Sequence, residues 1–236
     1  FLVLLKDLSK NSRANMNKLT ISILFLLMGA QVFAQEEISH EEFKKMYNDA
    51  WKTIEASGFD HTLQDSIAKS FIQIYLTNQD SAVKSQAASS AFMMWGNTGN
   101  AVMAHKYIIE IPNDSEIWSR IINGFGNATI KYYRDTKEEK FSIDSYKSFL
   151  DRKIDELTHP RAKSSVILNR MRLIPPTDTT GITFKLAKML VELDADSFFV
   201  NQGLGKLYEL ENLRTGMPAP DFSSETHTGE PIALSD

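Results

Sequence analysis

The side chains that usually carry enzyme chemistry are few and dispersed in this sequence of 236 residues. It contains no cysteine, and because a thiolate is the attacking species in disulfide exchange, the chain as written cannot reduce a disulfide. Metal sites need convergent ligands, and the histidines show neither H-x-x-x-H nor H-E-x-x-H spacing. Surface or capping roles are therefore predicted for all five, which are His40, His61, His105, His159 and His227. The sequence predicts no catalytic, cofactor-binding or metal-ligating residue, and no cofactor.

Charge and short motifs exclude other common chemistries. None of the patterns G-x-G-x-x-G, G-x-x-x-x-G-K-[ST] and G-x-S-x-G occurs, so the usual phosphate-binding loops and the nucleophile elbow are absent. The 26 lysine and arginine residues against 30 aspartate and glutamate residues give a formal charge of −4. Residues 35–236 alone contain 22 basic and 29 acidic residues and carry a formal charge of −7. No nucleic-acid partner is predicted, because such a partner requires a basic surface.

The N-terminal region has the form of a secretory signal peptide. Met16-Asn17-Lys18 precedes an apolar run over residues 19–28, and Val32-Phe33-Ala34 offers the small or compact residues that a signal peptidase reads. The apolar run is too short to span a bilayer, which takes about 20 residues. We therefore predict a signal peptide over residues 16–34 that is cleaved near Ala34, export to the periplasm or cell envelope, and no stable membrane anchor. Residues 1–15 are expected to lie upstream of the true start.

Residues 35–213 are predicted to form a mainly α domain, because their apolar residues recur at helical spacing. The clearest stripes are Phe43, Met46, Tyr47, Ala50, Trp51 and Ile54, then Ala68, Phe71, Ile72, Tyr75 and Leu76, then Val83, Ala87, Ala88, Ala91 and Trp95. Short polar turns between helices imply antiparallel neighbours, arranged as an irregular array or as a stack of helical hairpins. Two segments resemble tetratricopeptide units, namely Trp95-Gly96 with Gly99-Asn100-Ala101, Ala104, Tyr107 and Pro112, and Leu204-Gly205-Lys206-Leu207-Tyr208.

Capping and breaking residues predict where these helices begin and end. Ser39 and Glu42 have the spacing of a capping box. Further helix starts are predicted by a cap within Asn113–Glu116, by Ser142, and by Pro160 in a first turn. Breaks are predicted at Gly96–Asn100, before a shorter helix, and at Pro175-Pro176, with weak points at Gly124 and Gly126. The last helices are predicted over about 181–193 and 196–213, with a left-handed C-cap at Gly216.

Aromatic residues are predicted to belong mostly to the core, because they lie on the helical stripes. The set comprises Trp51, Trp95, Trp118, Phe125, Tyr132, Tyr133, Phe198 and Phe199. Tyr132 and Tyr133 are the better candidates for exposure, since they end a stripe and precede the charged run Arg134–Lys140. A docking surface at these two tyrosines is a hypothesis.

The C-terminal segment carries the most specific pattern in the chain. Gly216-Met217-Pro218-Ala219-Pro220-Asp221-Phe222 is followed by Thr228-Gly229-Glu230-Pro231-Ile232-Ala233-Leu234. Two short strands around a turn containing Gly229 are predicted here. The segment resembles the entry into a thioredoxin-like domain of the redoxin (AhpC/TSA) and TlpA type, whose pattern is G-x-x-A-P-x-F, a short gap and D/N-G-x-x-x-x-L.

The resemblance implies that residues 214–236 begin an incomplete thioredoxin-like α/β domain. It further implies an exported thiol–disulfide oxidoreductase whose Trp-Cys-x-x-Cys site would follow, so the chain is expected to be an inactive N-terminal part that positions or docks a protein substrate or redox partner. Two alternatives stay open. A peroxiredoxin shares the A-P-x-F entry but uses P-x-x-x-[TS]-x-x-C, and an exported, non-enzymatic helical scaffold or binding protein would carry this ending by chance.

Overall fold

The computed structural model of the protein describes residues 37–176, 180–213, 223–225 and 227–233. As predicted, the chain is mainly helical with a small antiparallel sheet near its C-terminus. The described helices are α1 (His40–Ala56), α2 (His61–Thr77), α3 (Ser81–Thr98), α4 (Ala101–Ile108), α5 (Trp118–Thr136), α6 (Ile143–Glu156), α7 (Pro160–Arg172), α8 (Ile182–Leu193) and α9 (Ser197–Asn212), with a 3-10 turn at Glu139–Phe141. The strands are β1 (Ser223–Glu225) and β2 (Pro231–Ala233).

Several sequence features lie outside these described residues. They are the predicted upstream extension 1–15, the signal peptide 16–34 and the motif Gly216–Phe222. The described residues divide into two compact units, with the division between Ser148 and Phe149 inside α6. The single helical domain predicted over residues 35–213 stays a prediction, and each unit is described by itself.

Helix α3 lies at the centre of the first unit, where it packs against α1, α2, α4 and α5. Its aromatic residues are fully buried, with the rings of Phe92 and Trp95 5.3 Å apart and edge-on. Trp95 also stacks on Tyr107 of α4 at 5.6 Å with nearly parallel planes. Such aromatic pairs contribute about 0.5–1.5 kcal/mol beyond the burial of their area, and the Trp95–Tyr107 pair joins α3 to α4.

Glycines allow α3 and α5 to cross at close range. A Cβ at Gly124 of α5 would overlap the backbone carbonyl oxygen of Phe92, and a Cβ at Gly96 would lie 3.0 Å from the carbonyl oxygen of Gly124. Helix α5 nevertheless runs without a break through Gly124 and Gly126. The predicted weak points are therefore packing contacts, in which close backbone approach compensates for the low helix propensity of glycine.

The turn between α3 and α4 is held by side chains from two neighbouring helices. The carboxylate of Asp65 in α2 accepts hydrogen bonds from the Thr98 hydroxyl at 2.8 Å and from the Asn100 amide at 2.7 Å. Lys131 of α5 donates to the carbonyl oxygen of Asn97. Helix α3 has 18 residues and α4 only 8, an unequal hairpin that favours the irregular array over regular tetratricopeptide units.

The helix starts follow local capping chemistry where the sequence supplies a capping side chain. The Ser39–Glu42 capping box forms in full, with the Ser39 backbone N–H donating to the Glu42 carboxylate at 2.9 Å. The Ser142 hydroxyl accepts from the Ser145 N–H, Pro160 occupies the first turn of α7, and the Asp196 carboxylate caps α9. These predicted starts are confirmed.

Of two further predicted caps, one has support in the structure and one is wrong. Helix α5 begins after Ile117, whose own side chain offers no acceptor, but the Ser115 hydroxyl, within the predicted Asn113–Glu116, accepts from the Ile117 N–H at 3.3 Å. In addition, the Trp118 indole N–H donates to the carbonyl oxygen of Pro112 at 2.9 Å, which ties the first residue of α5 to the preceding loop. Helix α9 ends at Asn212 and its C-cap is Leu213, so the left-handed C-cap predicted at Gly216, which lies outside the described residues, is wrong.

The second unit contains α7, α8 and α9 packed against one another. Gly203 brings α9 close to α8, since a Cβ there would lie 2.8 Å from the carbonyl oxygen of Ala187. The guanidinium of the buried Arg170 in α7 donates to the Asp151 carboxylate at 2.8 Å. This bond satisfies a charge that would be costly to bury unpaired.

The predicted hairpin at the C-terminus is confirmed for its described residues. Strands β1 and β2 pair with Ser224 opposite Ile232, and Gly229 in the turn has φ +83°, a left-handed conformation that glycine adopts without strain. Ile232 is 45% exposed. No helix in the described part of the chain has both the length and the apolar character needed to cross a membrane.

Candidate functional site

The candidate site is a groove in the first unit, formed by one face of α1, the middle of α3 and the first turn of α5. Its volume is about 440 Å³. The lining side chains are His40, Phe43, Lys44, Tyr47, Asn48, Gln86, Ser89, Ser90, Met93 and Arg120. A groove of this size lies within the range of ligand sites in proteins.

Helix α1 supplies both an apolar wall and a polar rim to this α1–α3–α5 groove. Phe43 is buried against Phe71 of α2 at 5.3 Å, and Tyr47 is half-buried with its ring stacked near the same Phe71. His40, Lys44 and Asn48 follow one another at i, i+4 spacing and are all exposed. The rim therefore presents donors and positive charge directly beside an aromatic surface.

Helix α3 leaves the groove open because its side chains there are short. Ser89 is half-buried, and the buried Ser90 hydroxyl donates to the Gln86 carbonyl oxygen of its own helix at 2.8 Å. Met93 is half-buried and adds an apolar, adaptable side chain. Longer side chains at Ser89 or Ser90 would fill the space between α1 and α5.

The groove carries positive charge in a protein whose net charge is negative. Lys44 and Arg120 line it and are exposed, and no aspartate or glutamate is among the lining residues. Within the described residues, neither cation forms an ion pair. Glu42 of α1 is turned to Ser39, whose hydroxyl and backbone N–H lower the pKa of this carboxyl below its usual range.

The two tyrosines proposed as a docking surface take part in local contacts. The Tyr132 hydroxyl donates to the Glu138 carboxylate at 2.8 Å, and this bond raises the pKa of the phenol. Its ring packs on Phe141 at 4.8 Å. Tyr133 is half-buried, with the Lys137 ammonium 5.6 Å from its ring centre. Both side chains close the loop after α5, and a docking role for them stays a hypothesis.

The histidines are placed far apart along the described chain. His40 lines the groove, His61 is exposed at the start of α2, and His227 is exposed in the hairpin turn. His159 caps α7, where its Nδ1 accepts from the Ala162 N–H at 3.5 Å, and this confirms a capping role. His105 is half-buried beside the rings of Phe125 and Phe141, a position that neither predicted role describes.

The aromatic residues predicted to form the core mostly do so. Trp95, Trp118, Phe125 and Phe199 are buried, and Trp51 is half-buried. Phe198 is 55% exposed, so its assignment to the core is wrong. The reason is its place beside the N-cap Asp196, where the helix turns Phe199 inward and Phe198 outward.

The sequence predicts no binding site at the groove residues, although His40 is predicted to lie at the surface or to cap a helix and Phe43 and Tyr47 belong to a predicted apolar stripe. Lys44 and Arg120 lie in helices far apart in the sequence, and helix periodicity does not say which helices become neighbours. One sequence pattern could have indicated the groove. Basic and amide side chains at i, i+4 spacing in α1 run beside the apolar stripe of Phe43 and Tyr47, and the small residues of α3 could have indicated an open surface.

Comparison with known protein families, curated proteins and solved structures gave no match. Within residues 37–176, 180–213 and the hairpin strands and turn, no group of three histidine, aspartate or glutamate side chains is placed to hold a metal ion. The α1–α3–α5 groove offers an apolar surface, hydrogen-bonding groups and positive charge to a ligand.

Proposed function

We propose that this chain is the N-terminal helical region of an exported thiol–disulfide oxidoreductase similar to TlpA-like proteins, and that its helices dock or position a protein substrate or redox partner. The observation that carries the proposal is the short hairpin after the last helix. Its glycine turn at Gly229 lies where the redoxin-type pattern requires a turn, and its strands flank that turn. A two-stranded hairpin is marginal alone, which fits the first piece of a larger sheet.

The absence of cysteine assigns the chemistry to another part of such a protein. A dithiol reductase attacks the substrate disulfide with one thiolate and resolves the mixed disulfide with a second thiolate. Neither sulfur is in residues 1–236. The helical region would then contribute binding and orientation, and the α1–α3–α5 groove offers a surface for both.

The decisive experiment reads the codons that follow Asp236 in the genome and assays the resulting protein. A Trp-Cys-x-x-Cys motif after a short strand, together with thiol-dependent reduction of insulin disulfides, is the expected result. Replacement of both cysteines by serine should abolish that activity, and residues 1–236 alone should show none. A P-x-x-x-[TS]-x-x-C motif with peroxide reduction would contradict the proposal, as would a stop codon, which would favour the scaffold.

A further inference from the structure

We infer that the α1–α3–α5 groove binds an extended, acidic segment of a partner protein, in which carboxylate side chains alternate with apolar ones. The inference deepens the proposed function, because it names the chemistry of the docked partner. Peptide binding can nevertheless be measured without any thiol chemistry. The result of the peptide-binding experiment is therefore independent of whether an oxidoreductase active site follows the helical region.

Charge complementarity is the first argument. Residues 35–236 carry a formal charge of −7, yet Lys44 and Arg120 both line this groove and no carboxylate does. Neither cation forms an ion pair with the described residues, and both are exposed. A partner carboxylate can approach them without displacing an internal acid, and Arg120 can bind it through two parallel hydrogen bonds.

The second argument is the composition of the groove wall. Tyrosine, methionine and arginine are enriched where proteins bind one another, and Tyr47, Met93 and Arg120 meet here. The half-buried Tyr47 and Met93 offer an apolar floor, and Ser89, Gln86 and Asn48 add hydrogen-bonding groups at the sides. A segment with alternating acidic and apolar side chains would place the apolar ones on the floor and the carboxylates at the cations.

The exposure of the rim favours a polypeptide over a small anion. Sites for small molecules bury most of the ligand surface, whereas Lys44, Asn48 and Arg120 stand open to solvent. An extended chain can cross such an open groove and continue beyond it at both ends. Its affinity would then come from several contacts along the groove and not from enclosure of one group.

The test uses the complete residue 1–236 chain and a fluorescein-labelled peptide in which glutamate alternates with leucine, with binding followed by fluorescence anisotropy. A peptide with glutamine in place of glutamate is the matched probe. The wild-type chain should bind the glutamate peptide more tightly by about tenfold or more, and this difference should shrink as salt is raised from about 0.05 to 0.5 M. Equal binding of both peptides would overturn the inference.

Charge-reversal variants locate the binding. K44E/R120E should weaken binding of the glutamate peptide by roughly tenfold or more, since it replaces two attractions by repulsions. The matched control K45E/K69E makes the same change of net charge at two exposed lysines outside the groove and should leave binding within about twofold. Equal losses in the two double variants would overturn the inference, because only the overall charge would then matter.

A third variant leaves both cations in place. S89E adds a carboxylate to the groove wall and should also weaken binding of the glutamate peptide, while its circular dichroism melting curve confirms folding. Unchanged binding by S89E would overturn the inference. Displacement of the peptide by inorganic phosphate as effectively as by unlabelled glutamate peptide would assign the groove to a small anion and overturn it as well.

Discussion

At the scale of single residues, the crossing of α3 and α5 depends on Gly124. A methyl group at this position would overlap the carbonyl oxygen of Phe92, which is a backbone atom and cannot turn aside as a side chain can. Alanine would gain up to about 1 kcal/mol of helix propensity. We expect the overlap to outweigh this gain, so that Gly124→Ala lowers the free energy of unfolding by about 1–3 kcal/mol in urea denaturation.

Gly205 provides the matched control for that substitution. It lies within α9, and a Cβ added there would meet no atom within 4 Å. Gly205→Ala should therefore stabilise the protein by up to about 1 kcal/mol, because only the propensity gain remains. A Gly124→Ala variant at least as stable as the wild type would show that the two helices do not approach each other this closely.

The carboxyl of Glu42 offers a second test at this scale. The Ser39 hydroxyl and, to a lesser extent, the Ser39 backbone N–H lower its pKa by bonding to the charged form. Because the folded-state pKa lies below the unfolded one, the stabilising contribution is present above the unfolded pKa and is lost as pH falls through the folded pKa. Acidification should therefore weaken the start of α1.

Substitution at Ser39 separates the two bonds. Ser39→Ala removes the larger cause, so an NMR titration of the Glu42 side chain should report a pKa raised towards the ordinary glutamate range. Ser39→Thr keeps the hydroxyl and should preserve the low pKa. An unchanged pKa in Ser39→Ala would mean that the capping box does not form in solution.

At the scale of secondary-structure elements, α3 contacts four other helices, and Asp80 secures its first turn. The Asp80 carboxylate accepts from the N–H groups of Ala82 at 2.7 Å and Val83 at 3.1 Å. Asp80→Ala should lower the free energy of unfolding by about 0.5–2 kcal/mol, measured by urea denaturation.

Asp114→Ala is the control, because it removes an exposed loop carboxylate that caps no helix, and it should change the free energy of unfolding by less than about 0.5 kcal/mol. Equal effects would contradict a specific capping role.

Elements whose signals lie within a few residues were predictable from the sequence. Ser39, Pro160 and Asp196 each stand beside the helix they begin. Most residues of the predicted apolar stripes of α1, α2 and α3 are buried, but Leu76 near the end of α2 is 48% exposed. At the start of α5 the Ser115 hydroxyl lies within the predicted range, whereas the bond from the Trp118 indole to the Pro112 carbonyl oxygen was not predictable, because it depends on the conformation of the loop. The groove was missed for a related reason, since α1 and Arg120 become neighbours only through packing on α3.

At the scale of the whole molecule, the net charge and the absence of cysteine restrict what the chain can do. A chain with no cysteine cannot exchange disulfides, and its acidic body carries a local groove lined by Lys44 and Arg120. The sequence predicted the fold class and the hairpin. Its resemblance to redoxins stays a proposal, because the part of the pattern that precedes Ser223 lies outside the described residues.

The hairpin gives the last prediction. In residues 1–236 its strands pair only with each other among the described residues, and Ile232 is 45% exposed, so the hairpin should open readily. In the oxidoreductase proposed above, further strands would cover it and its opening would require unfolding of the sheet. Amide hydrogen exchange in the two strands should then slow by more than about a thousandfold in the longer protein. Amides in α3 serve as the internal control and should exchange similarly in both proteins. Strong protection of the hairpin already in residues 1–236 would mean that it packs on the helices and is not the start of a larger sheet.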